Sequence, residues 1–275
     1  MVRMATRYDG GMRHFTVRRG GVTIPVSRGG RGRPLVLCPG LNSTQADLYR
    51  LTELLRRDHD VVSFDLRGHG LSSAAERYDF DAFLGDLVAV MAALEVSSPP
   101  VLVGYSLGAD LAVHYASMSP GSVAALVLVD GANPLPEPFI TDVDRAEFRA
   151  LTQHEAERGK GVDLVRQVSL SAQEIFELGL EMDVVRAGIL ERYQGIDAPV
   201  HMIMSSSIAG DSDAGRAPRH NRLWRRGVER LVQELPDTSV SWLDADHRLV
   251  FTHASDIAEI VRRACGSRSV SRPAP

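Results

Sequence analysis

Short, almost entirely apolar segments recur along this chain, and each is followed by glycine or a polar turn and then by sequence with helical spacing. The first four are PLVLCPG, DVVSFDLRG, PVLVGYS and AALVLVD, which lie between Pro34 and Asp130. Strands that are apolar on both sides are typical of a parallel sheet buried under helices on its two faces. The sequence therefore predicts an α/β protein with a mostly parallel sheet.

Helical patterns separate these strand-like segments. Apolar residues recur three and four apart in Phe80–Val96 and in Ala109–Met118, so both segments predict helices that connect parallel strands. Upstream, His14–Gly30 contains two β-rich segments around a Gly-Gly turn and predicts a hairpin. The first part of the chain is thus expected to begin one continuous α/β core.

The strand rhythm stops in the middle of the chain, where the sequence is helical and of mixed charge. It resumes with APVHMIM and SVSWLDADH, each followed by another helical segment. We interpret residues 133–196 as a helical cap inserted into a core formed by residues 1–132 and 197–265. A length of 275 residues suits one domain with such an insertion. The polar, proline-containing segment 266–275 is predicted to be a disordered tail.

A single serine lies between two glycines in VLVGYSLGADLAVHYA, residues 101–116. Its place between a strand and a helix predicts a turn too tight for side chains at positions 104 and 108. Such a turn holds Ser106 in a strained backbone conformation, with its hydroxyl beyond the carboxyl end of the sheet, where ligands of parallel sheets bind. The helix that follows directs N–H groups and a partial positive charge at the same point. A serine that only capped a helix would need neither glycine.

The arrangement resembles the α/β-hydrolase superfamily, in particular its capped members with a serine nucleophile. Besides the serine turn, three segments match that superfamily in order, each directly after a strand: LCPGLNS (37–43), DLRGHGLSS (65–73) and DADHRLVFTHASDIAEIV (244–261). The resemblance extends over most of the chain. It implies an α/β-hydrolase fold, with a mostly parallel twisted sheet, helices on both faces and an inserted helical cap, and it implies a Ser–His–Asp triad.

A serine hydroxyl is a poor nucleophile until a base takes its proton, and near pH 7 the usual base is histidine. Among nine histidines, His247 directly follows a terminal strand and precedes the last helix, which is the position that the resemblance requires. Ser106 and His247 are therefore the expected nucleophile and base. The other candidates are interpreted as structural: His253 at a helix start, His69 as a brace for its glycine-rich turn, and His59 and His114 on strand-edge and helical sequence.

Attack on a carbonyl creates an oxyanion, which needs two preorganised N–H donors. The resemblance implies that one donor is the N–H of Leu107, directly after the serine, and that the other is the N–H of Leu41, one residue after Gly40. Pro39 stands where the superfamily usually has histidine. This replacement removes a side chain that normally organises the loop, and it leaves the donor N–H intact.

The identity of the acid that orients the histidine remains open, because candidate aspartates follow two different strands. Most of the superfamily takes it from a turn after the strand that corresponds here to PVHMIM, but the expected position near Ile208 carries no carboxylate. Asp211 and Asp213 come three or more residues later. A minority takes the acid from the end of the preceding strand, where LVLVDGANP places Asp130. Asp130 and Asp211, with Asp213 behind them, therefore remain alternatives.

Composition argues against several other classes of function. The net charge of −4 gives no general field for nucleic acid or anionic lipid, and the basic run Arg219–Arg230 is interpreted as a solvated helix face. No metal-ligand spacing or phosphate-binding glycine loop occurs, so neither a metal nor a cofactor is expected. No apolar run approaches the roughly 18 residues of a membrane span, and the first residues lack the apolar centre of a secretion signal. We expect a cytoplasmic protein without a membrane or nucleic-acid partner, of undetermined oligomeric state.

The side chains of the expected cap that line the pocket determine which substrate we expect. Its candidate apolar lining residues are Leu135, Phe139, Phe148, Ile175, Phe176, Leu180 and Met182. Together with the resemblance, they favour a serine hydrolase that cleaves an ester, lactone, thioester or amide of a medium-sized, largely apolar small molecule through an acyl-enzyme. The alternatives are carbon–carbon bond hydrolysis or acyl transfer by the same residues, and a small-molecule receptor that retains the triad.

Overall fold

A nine-stranded sheet forms the centre of the computed structural model, which describes residues 2–9, 11–159 and 163–266. The strands are β1 (Val2–Asp9), β2 (Met12–Arg19), β3 (Val22–Gly30), β4 (Arg33–Cys38), β5 (His59–Phe64), β6 (Val101–Tyr105), β7 (Ala125–Val129), β8 (Val200–Ser205) and β9 (Ser239–Leu243). They lie side by side in the order β1-β2-β3-β5-β4-β6-β7-β8-β9. The predicted segments after β4, β6 and β7 thus belong to neighbouring strands, and one strand, β8, separates β7 from β9.

The sheet is antiparallel at its amino-terminal side and parallel elsewhere. β1, β2, β3 and β5 pair antiparallel in that order, whereas β5-β4-β6-β7-β8-β9 are joined by parallel pairs. The hairpin predicted over His14–Gly30 is confirmed as β2 and β3 with Gly20 and Gly21 between them. The predicted mostly parallel sheet is confirmed as well. Because parallel strands end at one edge, the loops after β4, β6, β7 and β9 meet there.

Helices cover both faces of this sheet. They are α1 (Tyr49–Leu55), α2 (Phe80–Ala92), α3 (Leu107–Met118), α4 (Arg145–Arg158), α5 (Ala172–Ala187), α6 (Ile189–Gln194), α7 (Ala217–Glu234), α8 (Leu249–Thr252) and α9 (Ala254–Gly266). The buried residues of α1, α8 and α9 share one core with one face of the sheet, and those of α2, α3 and α7 share the other. No helix in the described ranges is both long and apolar enough to span a bilayer.

Alternation along the strands explains why two cores form. In β4, Leu35 and Leu37 belong to the core under α1 and α9, whereas Val36 and Cys38 belong to the core under α2 and α3. Successive side chains of a strand point to opposite faces, so a strand that is covered on both sides must be apolar throughout. This is the physical reason for the apolar runs in the sequence.

The helix predicted over Phe80–Val96 is shorter in the structure. It begins after Asp79, whose side chain accepts a hydrogen bond from the Ala82 N–H, and it ends at Ala92. The sequence that follows contains two serines and two prolines before β6 begins at residue 101. A residue that precedes proline is disfavoured in a helix, so the helix cannot continue through Ser98.

Helices α4, α5 and α6 lie between β7 and β8 and form the inserted cap. The longest of them, α5, begins with a capping box in which Ser171 and Glu174 satisfy each other's backbone N–H groups. The exact boundaries 133–196 stay a prediction. At the other end of the chain, Gly266 completes α9, and the remainder of the predicted tail, 267–275, lies outside the described residues.

Candidate active site

Ser106 occupies a strained turn between β6 and α3. Its φ of 51° and ψ of −121° place it in a region that non-glycine residues rarely adopt. A Cβ at Gly104 would lie 2.3 Å from the carbonyl oxygen of Gly108, and a Cβ at Gly108 would lie 2.3 Å from the carbonyl oxygen of Cys38. Both glycines are thus required by close backbone approach, in agreement with the tight turn predicted from the sequence.

His247 connects Ser106 to Asp130. Its Nε2 lies 2.9 Å from Ser106 Oγ, and its Nδ1 lies 2.8 Å from Asp130 Oδ2. An ionised carboxylate only accepts, so we assign the proton to Nδ1, which leaves Nε2 to accept from the serine hydroxyl. The Asp130 side chain has no exposed surface, and that of His247 is 38% exposed. The fold thus brings together residues that are 117 and 141 positions apart in sequence.

Asp130 is held by further donors from two elements. Ser205, the last residue of β8, donates its N–H to Oδ1 at 2.9 Å, and its hydroxyl lies within 2.9 Å of both carboxylate oxygens. Trp224 of α7 donates its Nε1–H to Oδ1 at 3.0 Å. Several hydrogen bonds to one carboxylate fix its orientation. Oδ2 therefore faces the imidazole in one position.

The alternative acids predicted from the sequence lie elsewhere. Asp211 and Asp213 are exposed in the loop after β8, and neither makes a hydrogen bond to the imidazole within the described residues. Asn221 of α7 holds this loop by accepting from the Ala209 N–H at 3.0 Å and donating to the Gly210 carbonyl at 2.9 Å. The loop is therefore fastened to α7, and of the three alternative aspartates it is Asp130 that lies within hydrogen-bonding distance of the imidazole.

Tyr105 positions the loop that carries His247. Its hydroxyl donates to the His247 carbonyl oxygen at 2.8 Å, and the centroids of the two rings lie 5.3 Å apart. Burial raises the pKa of Tyr105, so the hydroxyl keeps the proton that it donates. The residue that precedes the serine thus orients the histidine as well.

The predicted oxyanion donors lie in two places: Leu41 is in the loop after β4, and Leu107 is the first residue of α3, directly after Ser106. A Cβ at Gly40 would lie 2.9 Å from the Ser106 Cβ and 2.9 Å from the Tyr105 ring. The glycine therefore allows the loop after β4 to come close to Ser106. Leu41 and Leu107 both line a cavity together with Ser106. Within the described part of the chain, neither leucine N–H donates a backbone hydrogen bond outside regular helices and strands.

His69 braces the loop that contains Leu41. Its Nε2 accepts from the Asn42 N–H at 3.1 Å, and its Nδ1 lies 2.8 Å from the Arg67 carbonyl oxygen, to which it donates. Complete burial lowers the pKa of His69 to about 4, which keeps the imidazole neutral and able to accept. The sequence predicted that His69 braces its own turn, but it did not reveal that the brace extends to the oxyanion loop.

The oxyanion loop is also bound from the cap. The Asn42 Nδ2 donates to Glu155 Oε2 at 2.6 Å, and Asn42 itself has a φ of 58°. The turn that carries His69 is joined to the cap segment as well, because the Gly70 N–H donates to the Gln167 carbonyl oxygen at 2.8 Å. Asn42 is therefore the residue at which core and cap meet beside the serine.

Two cavities open onto Ser106. The inner cavity, of about 150 Å³, is lined by Leu41, Ser106, Leu107, Phe139, Ile140, Phe148, Leu178, Gly179, Met182, Asp183, Arg186, Arg216 and His220. The outer cavity, of about 680 Å³, contacts His247 and includes Leu41, Asn42, Tyr105, Ser106, Phe148, Glu155, Arg158, Arg166, Ile175, Gly179, Arg248 and Phe251 among its lining residues. The serine lies at the junction of the two.

The predicted cap lining is correct in part. Phe139, Phe148 and Met182 line the inner cavity, and Phe148 and Ile175 line the outer one. The other three predicted residues line neither cavity: Leu135, Phe176 and Leu180. Helical spacing marks a packed face without distinguishing core packing from a cavity wall, which is why these positions could not be separated.

The charged side chains at the inner cavity, Asp183, Arg186 and Arg216, have partners outside it or on the backbone, and Arg216 pairs with Glu147 at 3.1 Å. Arg186 makes two hydrogen bonds to the fully buried Asp110 of α3, at 3.1 and 2.8 Å. Asp183 accepts from the backbone N–H groups of Phe139 and Ile140, at 3.1 and 2.8 Å.

In the part of the chain that the structure describes, no three histidine, cysteine, aspartate or glutamate side chains are arranged to hold a metal ion.

Among the known proteins that this chain resembles in sequence are a hydrolase and a member of the α/β-hydrolase superfamily. A family model described as the alpha/beta hydrolase fold matches residues 33–199. The chain is 33% identical to the AB hydrolase superfamily protein YisY of Bacillus subtilis over 127 residues, which are 45% of this chain and 47% of that protein. It is 28% identical to 2-(acetamidomethylene)succinate hydrolase of Mesorhizobium japonicum over 210 residues, 74% of this chain and 70% of that protein. The first of these alignments thus spans about half the relative's length.

Solved structures show the same architecture. A carboxylesterase of the thaumarchaeon Nitrososphaera gargenis superposes with a TM-score of 0.69 at 18% identity, covering 91% of this chain and 97% of that one. At this level of identity, the likeness concerns the fold. The chemistry must therefore be argued from the residues around Ser106.

Proposed function

The chain belongs to the α/β-hydrolase fold family, and from this membership we propose that it is a serine hydrolase with Ser106 as nucleophile, His247 as base and Asp130 as the acid that orients the base. Its substrates are esters, lactones, thioesters or amides of a medium-sized, largely apolar small molecule. The relatives named above carry hydrolase names, which supports hydrolysis in general. The residue roles and the acyl substrate are the finer part of the proposal.

In the proposed reaction, Ser106 Oγ bonds to the carbonyl carbon while His247 Nε2 takes its proton. The backbone N–H groups of Leu41 and Leu107 donate to the oxyanion that forms. The imidazolium then gives its proton to the leaving atom as the bond to carbon breaks, and an acyl-enzyme remains. Water attacks that ester by the same route, losing its proton to Nε2, and the proton returns to Ser106 Oγ as the acid leaves.

The observation that carries this proposal is the continuous hydrogen-bonded row from Ser106 through His247 to Asp130, with distances of 2.9 and 2.8 Å. A buried aspartate at Nδ1 stabilises the tautomer in which Nε2 can accept a proton, and it stabilises the imidazolium after transfer. The strained turn at Ser106 supports the same conclusion, since strain of this kind is concentrated at functional sites.

A fluorophosphonate probe tests the proposal, because it reacts with an activated serine. We expect one covalent adduct on the wild type, mapped to Ser106 by peptide mass, and no adduct on Ser106→Ala. Ser205→Ala is the control, because Ser205 is a second buried serine nearby and donates to Asp130. In this variant the probe should still label Ser106. An unlabelled Ser106 in folded wild-type protein would overturn the proposed nucleophile.

A further inference from the structure

The two cavities at Ser106 share few lining residues. Among the described residues, four line both cavities: Leu41, Ser106, Phe148 and Gly179. Two of them belong to the core, and two belong to cap helices α4 and α5. Anything that extends from one cavity into the other must therefore pass between the serine and the pair Phe148 and Gly179.

The proposed chemistry assigns the two halves of a substrate to the two cavities. His247 Nε2 must reach the leaving atom to protonate it, and His247 lines the outer cavity and not the inner one. Leu107, one of the proposed oxyanion donors, lines only the inner cavity. The leaving group therefore belongs in the outer cavity, and the acyl chain belongs in the inner cavity.

Gly179 is placed where a larger residue would close the junction. It lies inside α5, where glycine is less favourable than alanine. A Cβ at this position would lie 2.4 Å from Cζ and 2.6 Å from Cε1 of Phe148. The ring of Phe148 also packs against that of Phe176 on the same helix as Gly179, with ring centroids 5.4 Å apart. The glycine thus gives the Phe148 ring the space that it occupies at the junction.

The inner cavity accepts a short chain. Its volume of about 150 Å³ corresponds to roughly five water-sized groups at about 30 Å³ each. The polar side chains at this cavity already have partners: Arg186 bonds to Asp110, and His220 Nε2 donates to the Phe139 carbonyl oxygen at 2.9 Å. The surface left for an acyl chain is therefore mainly apolar, formed by Leu178 and its neighbours.

The outer cavity differs in size and in polarity. It has a volume of about 680 Å³, and charged side chains of both signs line it, among them Glu155, Arg158, Arg166 and Arg248. A large, polar leaving group fits such a surface better than a second apolar chain does, because polar groups that lose water there find partners.

We propose that Phe148 and Gly179 form a neck that restricts the enzyme to short acyl groups, of about four to six non-hydrogen atoms, carried on a large polar alcohol, thiol or amine. This inference rests on the proposed serine hydrolase and its triad, and it replaces the largely apolar substrate proposed above by one whose leaving group is polar. Phe148 is the specificity-determining residue, and Gly179 sets the position of its ring.

Straight-chain acyl thioesters that share one large polar thiol, with acyl lengths from two to twelve carbons, test the neck. For the wild type we expect kcat/KM to be highest at short lengths and to fall at least a hundredfold by twelve carbons. Phe148→Ala joins the two cavities, so the ratio of long-chain to short-chain kcat/KM should rise at least tenfold. A wild-type profile that is flat across the series would overturn the proposal.

Gly179→Ala should change the ratio of long-chain to short-chain kcat/KM in the opposite direction. It therefore keeps the proposal testable if Phe148→Ala does not fold. The added methyl group pushes the ring into the junction, so the ratio of long-chain to short-chain kcat/KM should fall at least threefold. Gly188→Ala at the end of the same helix is the matched control, because a Cβ there meets nothing within 4 Å. Equal profiles for the two alanine variants would contradict the role of Gly179.

Labelling by the fluorophosphonate separates the two proposals. If Ser106 is labelled and the acyl profile is flat, the neck is wrong while the serine hydrolase stands. If Ser106 is not labelled in folded protein, the proposed function fails, and the neck fails with it. Labelling of Ser106 together with opposite shifts in Phe148→Ala and Gly179→Ala supports both.

Discussion

The core side and the cap side of the site are held in different ways. On the core side, Asp130 is completely buried and accepts hydrogen bonds from β8, from α7 and from His247. On the cap side, α4 buries only Thr152 and Ala156 among its residues. Cap and core are tied beside the serine by an exposed hydrogen bond from Asn42.

This contrast corresponds to two different tasks. Proton transfer between Ser106 and His247 requires distances fixed to a few tenths of an ångström, and strand ends surrounded by buried partners provide that rigidity. Selection of an acyl chain requires only a wall of suitable shape, which a helix on the surface can provide. We therefore expect core-side changes to alter rates or stability strongly, and cap-side changes to alter substrate preference.

The largest effect is expected for Asp130→Asn. The amide oxygen can replace Oδ1 and accept from Ser205 and Trp224, which turns the NH₂ group toward His247 Nδ1 and favours the wrong tautomer. We expect kcat to fall by about 10⁴-fold, as in a comparable triad, with KM changed little. Steady-state kinetics on an activated ester measure this.

Asp211→Asn is the matched control for that prediction, because Asp211 is exposed in the loop after β8. We expect a change of less than about twofold, within the range usual for a surface substitution. If the two variants lost activity equally, or if only Asp211→Asn did, the assignment of the acid from the geometry would be wrong.

Arg186→Met tests the buried link between the two sides. Arg186 of α5 pairs with Asp110 of α3, and their side chains are 14% and 0% exposed. Removing one member leaves an uncompensated buried charge, which costs about 3–5 kcal/mol. Urea unfolding should show this loss. Arg226→Met removes an exposed pair with Glu137 at 3.7 Å and should cost less than about 1 kcal/mol; a similar small loss for Arg186→Met would mean that the link does not hold the cap.

The strands and the strained turn at Ser106 could be predicted from the sequence because their physical causes are local. The part of a strand that is covered on both faces must be apolar at every position, as from Leu35 to Cys38 in β4. A turn with no room for a Cβ requires glycine, as at Gly104 and Gly108. The position of His247 beside Ser106 was likewise expected, since order along the chain fixes which loops meet at the carboxyl edge of the sheet.

The acid and the cavity walls could not be predicted because they depend on contacts that are distant in sequence. The choice of Asp130 over Asp211 depends on Asn221, which fastens the loop after β8 to α7. The importance of Gly179 depends on the ring of Phe148, which lies 31 positions earlier in the sequence and on another helix. Neither contact leaves a pattern of spacing in the sequence.

The pH dependence of stability tests how the core side is built. Burial lowers the pKa of His69 from 6.5 to about 4, so between these values the unfolded chain binds a proton that the folded chain does not. The stabilisation is complete above pH 6.5 and is lost as the pH falls toward 4. A shift of this size corresponds to roughly 3 kcal/mol. Urea midpoints of the wild type should fall over that window, and those of His69→Gln should fall less; parallel curves would contradict a neutral buried His69.

His69→Ala should weaken catalysis through the oxyanion loop. The variant leaves the Asn42 N–H without the imidazole acceptor, so the Leu41 N–H is less well fixed. Since removing an oxyanion donor outright costs about 10²–10³-fold in kcat, we expect a loss of about 10- to 100-fold, mainly in kcat. His69→Gln, which retains an acceptor, should recover part of it.

His114→Ala distinguishes this positioning effect from general destabilisation. His114 is also buried, its Nδ1 lies 2.9 Å from a backbone carbonyl oxygen, and burial lowers its pKa too. It lines neither cavity at Ser106. We expect reduced stability with kcat within about threefold of the wild type. An equal fall in kcat for both histidine variants would show that His69 acts only through stability.

Glu155→Ala should have the smallest effect, and it tests the contrast from the cap side. Glu155 accepts from the Asn42 side chain at 2.6 Å, so it contacts the same residue as His69, but the bond is exposed to solvent. Water can replace an exposed acceptor, and the loss should be about two- to threefold in kcat/KM. Glu157→Ala, an exposed position on the same helix that bonds to Gln153, controls for changes in helix propensity. A loss as large as that of His69→Ala would mean that the cap fixes the oxyanion loop as firmly as the core does, and the division of tasks between the two sides would no longer hold.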